Sequence, residues 1–261
     1  MRDELMSEII KLEWDMFSHV SNVGGPASCQ MRPDTFKIMR KSQAATWSDE
    51  LLASYLEDLK TATREGRNIM TEKYARMMES TFPEEYRKLA ASLPPVDKET
   101  LQKIEEIVAI NVGWKAELFD RYPRLSGKGR PLRTSEDSAM ETSFETYLRG
   151  ELKTYSARTI TLLHELTLRQ QQDGVNCAAL NLRCSSTGMP RSTRPKAIAR
   201  EPDGVPGFLT GAALPIPCPF RHGVPSKKQA ARKANSRDPK APGRRGRQRP
   251  WRSWRLSIFP E

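Results

Sequence analysis

Residues 94–123 read PPVDKETLQKIEEIVAINVGWKAELFDRYP, and this stretch decides the class of fold. Pro94-Pro95 breaks any preceding helix, because proline lacks an amide proton and restricts the residue before it. Asp97 stands where a helix N-cap is favoured, its short side chain accepting from the first free amides. Leu101, Ile104, Ile107, Val108, Val112 and Leu118 follow on one apolar side at helical spacing. Tyr122-Pro123 stops the segment. A long helix with one apolar stripe needs other helices to cover it.

The flanking sequence supplies them. Leu5, Ile9, Leu12 and Met16, widened by Ile10, Trp14 and Phe17, predict a first helix ending near Val20. Asp34 is the expected N-cap of a second helix through Phe36, Ile38 and Met39. Ser48 caps a third with Leu51, Leu52, Tyr55, Leu56 and Leu59 on one face, and Gly66 ends it at a favoured C′ position. Residues 69–78 read as a fourth helix, and Pro83 opens a short fifth. After 94–123 comes a loop over 124–141. Thr142 and Glu145 then have capping-box spacing, launching one helix with Phe144, Leu148, Leu152, Tyr155, Leu162 and Leu166 that ends near Gly174. No alternating strand pattern appears. The expected fold is all-α, a single irregular bundle of six or seven helices.

Charge divides the chain. Residues 1–170 carry 25 Lys/Arg against 27 Asp/Glu, and residues 171–261 carry 18 against 5, so the net +11 resides in the last third. Beyond Leu182 the periodicity vanishes, and Arg, Pro, Ala and Gly dominate. Such a composition buries too little apolar surface to offset its ordering entropy. The expected organisation is a helical domain over 1–182 and a disordered basic tail over 183–261. The apolar stretch at 208–220 is short and broken by prolines, so no transmembrane helix is expected. Four scattered cysteines and an acidic N-terminus without a long apolar core suit a cytoplasmic protein.

Several ordered motifs carry a resemblance. They are Gly24-Gly25-Pro26-Ala27-Ser28-Cys29-Gln30, Phe36-Lys37-Ile38-Met39-Arg40-Lys41-Ser42-Gln43, Gly66-Arg67-Asn68, Glu72-Lys73-Tyr74-Ala75-Arg76-Met77-Met78-Glu79, Gly129-Arg130-Pro131 and the run from Thr142 through Leu152. Together they resemble a bacterial domain-of-unknown-function family, number 4125, over residues 5 to about 182. The resemblance implies no activity. It implies a further helix ending in a Tyr-Gly-Tyr-x-Ser-Leu-like stretch, where this chain has Cys184-Ser185-Ser186-Thr187-Gly188-Met189-Pro190. Codons allowed for residues 184–196, read with one base placed before them, give Met-Gln-Gln-Tyr-Gly-Tyr-Ala-Ser-Leu-Asp-Glu-Ala-Lys. The expectation is therefore that the reading frame is lost near residues 182–184 and that the tail is out-of-frame translation. Resequencing the gene tests this: an unshifted gene with its stop codon after Glu261 overturns it.

Candidate chemistry is sparse. Cys29 follows a Gly-Gly-Pro loop and precedes a helix, where amide dipoles lower a thiol pKa, making it a candidate reactive thiol; the alternative is a small side chain packing a loop. Arg124, Lys128, Arg130 and Arg133 cluster with Gly127 and Gly129, a composition suited to a phosphate or carboxylate. Arg67 and Glu72 around the fourth helix, with Arg149, Glu151 and Tyr155 on the last, are the remaining candidate lining of a ligand site. Glu145 and Arg149 have the spacing of an ordinary surface pair. No cofactor is expected. The two histidines of the helical domain, His19 and His164, without Cys-x-x-Cys or His-x-x-x-His spacing, give no support to a metal site. Two functional classes stay open: binding of a small anionic molecule, and a protein-interaction module without catalytic activity. A nucleic-acid arm over 227–255 is the weaker alternative, since the helical part offers no second basic surface.

Overall fold

The computed structural model describes residues 1–22, 25–123 and 129–187. Arg124, Gly127 and Lys128 of the basic loop, and the expected tail from residue 188 onward, lie outside them. Among the described residues there are nine α-helices: α1 Arg2–Ser18, α2 Pro33–Ala44, α3 Asp49–Arg64, α4 Ile69–Thr81, α5 Pro83–Leu89, α6 Lys98–Arg121, α7 Phe144–Leu152, α8 Ala157–Gln172 and α9 Cys177–Thr187. Short 3₁₀ turns occupy Ala90–Ser92 and Thr134–Glu136. No strand forms among the described residues; a lone bridge pairs Ser138 with Glu141.

Several boundaries follow from local chemistry. The Ser48 hydroxyl accepts from the Leu51 amide at 3.2 Å, and the Asp97 carboxylate from the Thr100 amide at 2.9 Å. Gly66 and Gly174 adopt φ of +69° and +67°, the left-handed conformation that ends α3 and α8.

Three expectations need correction. Pro33, not Asp34, opens α2; Arg32 is its N-cap, and Asp34 sits in the first turn. The capping box at Thr142 does not form: Ser143 caps α7 by accepting from the Thr146 amide at 3.1 Å, while Glu145 accepts from the Thr134 amide at 2.9 Å. The single last helix is two. Ser156 accepts from the Thr159 amide at 3.2 Å and starts α8 afresh, while the Thr154 hydroxyl bonds the Glu151 carbonyl at 2.7 Å. Side-chain bonds to local backbone compete with helix continuation here. With that division and the addition of α9, the count rises above six or seven. Helix α9 also continues past Leu182, which is buried against Leu118 and Tyr122 of the α6 end.

The main core joins α1, α3, α4, α6 and α8 through Ile9, Leu51, Leu52, Leu59, Ile69, Ile104, Ile107, Val108 and Ile160. Helix α7 lies against α4 at Gly150. A Cβ there would meet Met77 Cγ at 2.9 Å and the Lys73 carbonyl at 3.1 Å, so the missing side chain permits the close approach. That approach sets Glu151 beside Lys73.

Candidate functional site

Four charged residues from four helices meet inside the bundle. Glu13 of α1 is fully buried at 0% exposure. The Arg40 guanidinium of α2 grips it with both Nη2 and Nε, the latter at 2.7 Å from Oε2. Arg40 Nη1 also donates to Glu151 Oε1 of α7 at 3.0 Å. Lys73 Nζ of α4 donates to Glu151 Oε2 at 2.6 Å. Two anions and two cations therefore neutralise one another.

Neutral donors complete the set. Tyr55 donates to Glu13 at 2.7 Å and Tyr155 to Glu151 at 2.9 Å, while Gln43 accepts from Arg40 at 2.8 Å. The Tyr55 and Tyr155 rings pack with centroids 4.6 Å apart. On the other side, Lys73 Nζ lies 3.6 Å from the Tyr147 ring centroid, and Arg130 stacks on the same ring at 4.6 Å.

Proton affinities reflect this pairing. Burial would raise the Glu151 carboxyl, but Lys73 and Arg40 outweigh it and hold the group well below the usual carboxylate range. Burial would lower Arg40, but Glu13 and Glu151 outweigh it and hold its pKa up. Burial and neighbouring carboxylates push the Tyr55 and Tyr155 phenols up, so both remain protonated donors. With their donors and acceptors mutually engaged, these groups form a fastening between helices.

The candidates from sequence are dispersed over this frame. Glu151 and Tyr155 enter the cluster, and Arg130 reaches its edge through Tyr147 while donating to the Thr142 carbonyl at 2.9 Å. Arg67 instead pairs with Glu72 at 2.8 and 3.0 Å and with Glu65 at 2.8 Å. Arg149 holds Glu105 at 2.8 Å and Glu145 at 3.0 Å. Cys29 is partly buried and packs against the main core. His164 pairs with Glu106 at 2.6 Å. Among the described residues no group of three or more His, Cys, Asp or Glu is placed to hold a metal, and no helix is long and apolar enough to cross a membrane.

Glu13, Arg40, Tyr55 and Gln43 are absent from that sequence-derived set. A signal for the charged members exists. Each charge has apolar or aromatic neighbours four positions away on both sides: Ile9-Glu13-Phe17, Phe36-Arg40-Ala44, Ile69-Lys73-Met77 and Tyr147-Glu151-Tyr155. A charge inside an apolar stripe faces inward with it.

A different arginine stays without a carboxylate. Arg76 of α4 is 7% exposed, donates from Nη2 to the Pro94 carbonyl at 2.6 Å, and leaves its buried Nε without an acceptor. Burial lowers its pKa. It lines a cleft of about 400 Å³ between α4, the turn at 90–96, Leu101 of α6 and Lys153 after α7. Lys153 donates to Glu79 at 2.9 Å. A second cleft, about 440 Å³, lies beside Trp114 and Asn176; its Glu117 already accepts from Asn176 at 3.0 Å.

No curated protein and no solved structure gives a significant match to the chain. The family described as "Protein of unknown function (DUF4125)" matches residues 3–187, which takes in every helix described above. The run that matches is most of the chain and ends where α9 ends, so this protein belongs to the DUF4125 family.

Proposed function

We propose that this protein binds a small anion in the cleft between α4 and the 90–96 turn. The observation that carries the reading is Arg76: a buried guanidinium beside a cavity, with no carboxylate paired to it among the described residues. A buried charge without a counterion is costly, and an entering anion supplies that counterion. The cavity also falls within the range of small-molecule sites. The residues first expected to form such a site do not compete for this role. Arg67, Glu72 and Arg149 are paired with neighbours, which favours a part in holding helices together and, for that surface, the interaction-module reading.

A thermal-shift series on the full chain tests the reading, using phosphate, sulfate, acetate and citrate at constant ionic strength. A ligand that binds only the native state raises stability with occupancy, by about 2.7 kcal/mol at a hundred times its Kd. At least one anion is expected to raise Tm, and Arg76→Gln to abolish that rise. Arg76→Gln should melt no lower than the parent chain without added anion, because it removes a buried guanidinium that has no ion pair and an Nε without an acceptor. A flat response to all four anions, or the same rise in Arg76→Gln, overturns the proposal.

A further inference from the structure

The geometry points to a monocarboxylate bearing an apolar chain as the occupant of this cleft, an inference that rests on the anion-binding reading above. The walls split by chemistry. Arg76 and Lys153 provide the cations, and Leu93, Pro94, Val96 and Leu101 are among the apolar surfaces facing the same space. Among the described residues no acidic side chain lines it.

The charge count suits a monoanion. Lys153 is already balanced by Glu79, and Arg76, on which Glu72 and Glu79 act only from a distance, forms no ion pair among the described residues. A phosphate dianion would need more cations or a set of convergent amides, as at helix N-termini and nests. This cleft is poor in both. Pro94 and Pro95 have no amide proton. The Pro94 carbonyl is taken by Arg76, and the first turn of α6 is capped by the Asp97 carboxylate, itself an anion. A planar carboxylate, by contrast, matches a guanidinium edge with two parallel hydrogen bonds. Its chain then lies along Leu93, Val96 and Leu101, where buried methylenes leave water.

Calorimetric titration of the full chain with acetate, butyrate, hexanoate and octanoate decides the class, with octanol and inorganic phosphate as controls. Each added methylene is expected to tighten binding about three- to fourfold until the cleft is filled. Arg76→Gln should weaken octanoate at least tenfold. Leu93→Ser should flatten the chain-length dependence, and Lys153→Gln gives a second charge variant should Arg76→Gln fail to fold. Acetate and phosphate binding as tightly as octanoate, all through Arg76, overturns the apolar-chain class and leaves the anion reading standing. Octanol binding as tightly as octanoate, without effect of either charge variant, overturns both. So does the absence of binding by every probe.

Discussion

Replacing Arg40 with methionine is expected to remove about 3–5 kcal/mol of stability, the largest single loss anticipated for a charged residue here. Methionine keeps much of the volume but withdraws hydrogen bonds to two carboxylates at once. Glu13 is fully buried and Glu151 nearly so, and neither has access to water as a substitute. Glu13 would retain only the Tyr55 hydroxyl, and Glu151 only Lys73 and the Tyr155 hydroxyl, with Gln43 at 3.4 Å. Against a total of about 5–15 kcal/mol for an ordinary domain, that loss is severe. Urea unfolding measures it. The paired variant Arg40→Met with Glu13→Gln should recover part of the loss, because it removes a stranded charge along with its partner. A single-variant loss below about 1 kcal/mol would show that these charges do not fasten the helices.

Acid should act on the same cluster. The Glu151 carboxyl has its pKa lowered in the folded chain, since Lys73 and Arg40 outweigh the opposing effect of burial. In the unfolded chain it titrates near pH 4. The stabilisation is therefore complete above the unfolded value and is lost as pH falls through the folded one. For a salt-bridged carboxylate this amounts to roughly 2–3 kcal/mol. Stability is expected to hold steady from pH 7 to about 5 and then fall steeply below about 4. Glu151→Gln should be less stable at pH 7 and should show a shallower acid limb. An acid limb as steep in that variant as in the parent would remove Glu151 from the cause.

Much of the helical framework was legible before any coordinates. Ser48, Asp97, Pro83, Gly66 and Gly174 mark helix ends by chemistry acting within a few residues. The break between α7 and α8 was not read, although Ser156 and Thr159 have N-cap spacing, because Tyr155 and Ile160 continue the apolar pattern across it. Asp34 has the chemistry of an N-cap, but Pro33 opens the helix and puts Asp34 in its first turn. Of the proposed site residues, Glu151, Tyr155 and Arg130 reach the cluster that fastens helices together, while Arg67 and Glu72 pair with each other apart from it. The reason is that a polar residue's role depends on what faces it from other helices. Arg67, Arg76 and Arg149 look alike along the chain; Arg67 and Arg149 meet carboxylates, and Arg76 meets a carbonyl and a cavity.

The amino-acid sequence by itself determined an all-α architecture, most helix boundaries and membership of a family defined by long ordered motifs. These follow from periodicity, capping and turn chemistry, which are local and written along the chain. Tertiary structure alone decided which buried charges neutralise one another and that Arg76 forms no ion pair among the described residues. Glu13, Arg40, Lys73 and Glu151 come from helices far apart in sequence, and only the packing of α7 on α4 at Gly150 brings the last two together. The cleft at Arg76 likewise exists only where α4, the proline turn, α6 and Lys153 meet. Electrostatic pairing is decided by distances between elements, and those distances are fixed by packing.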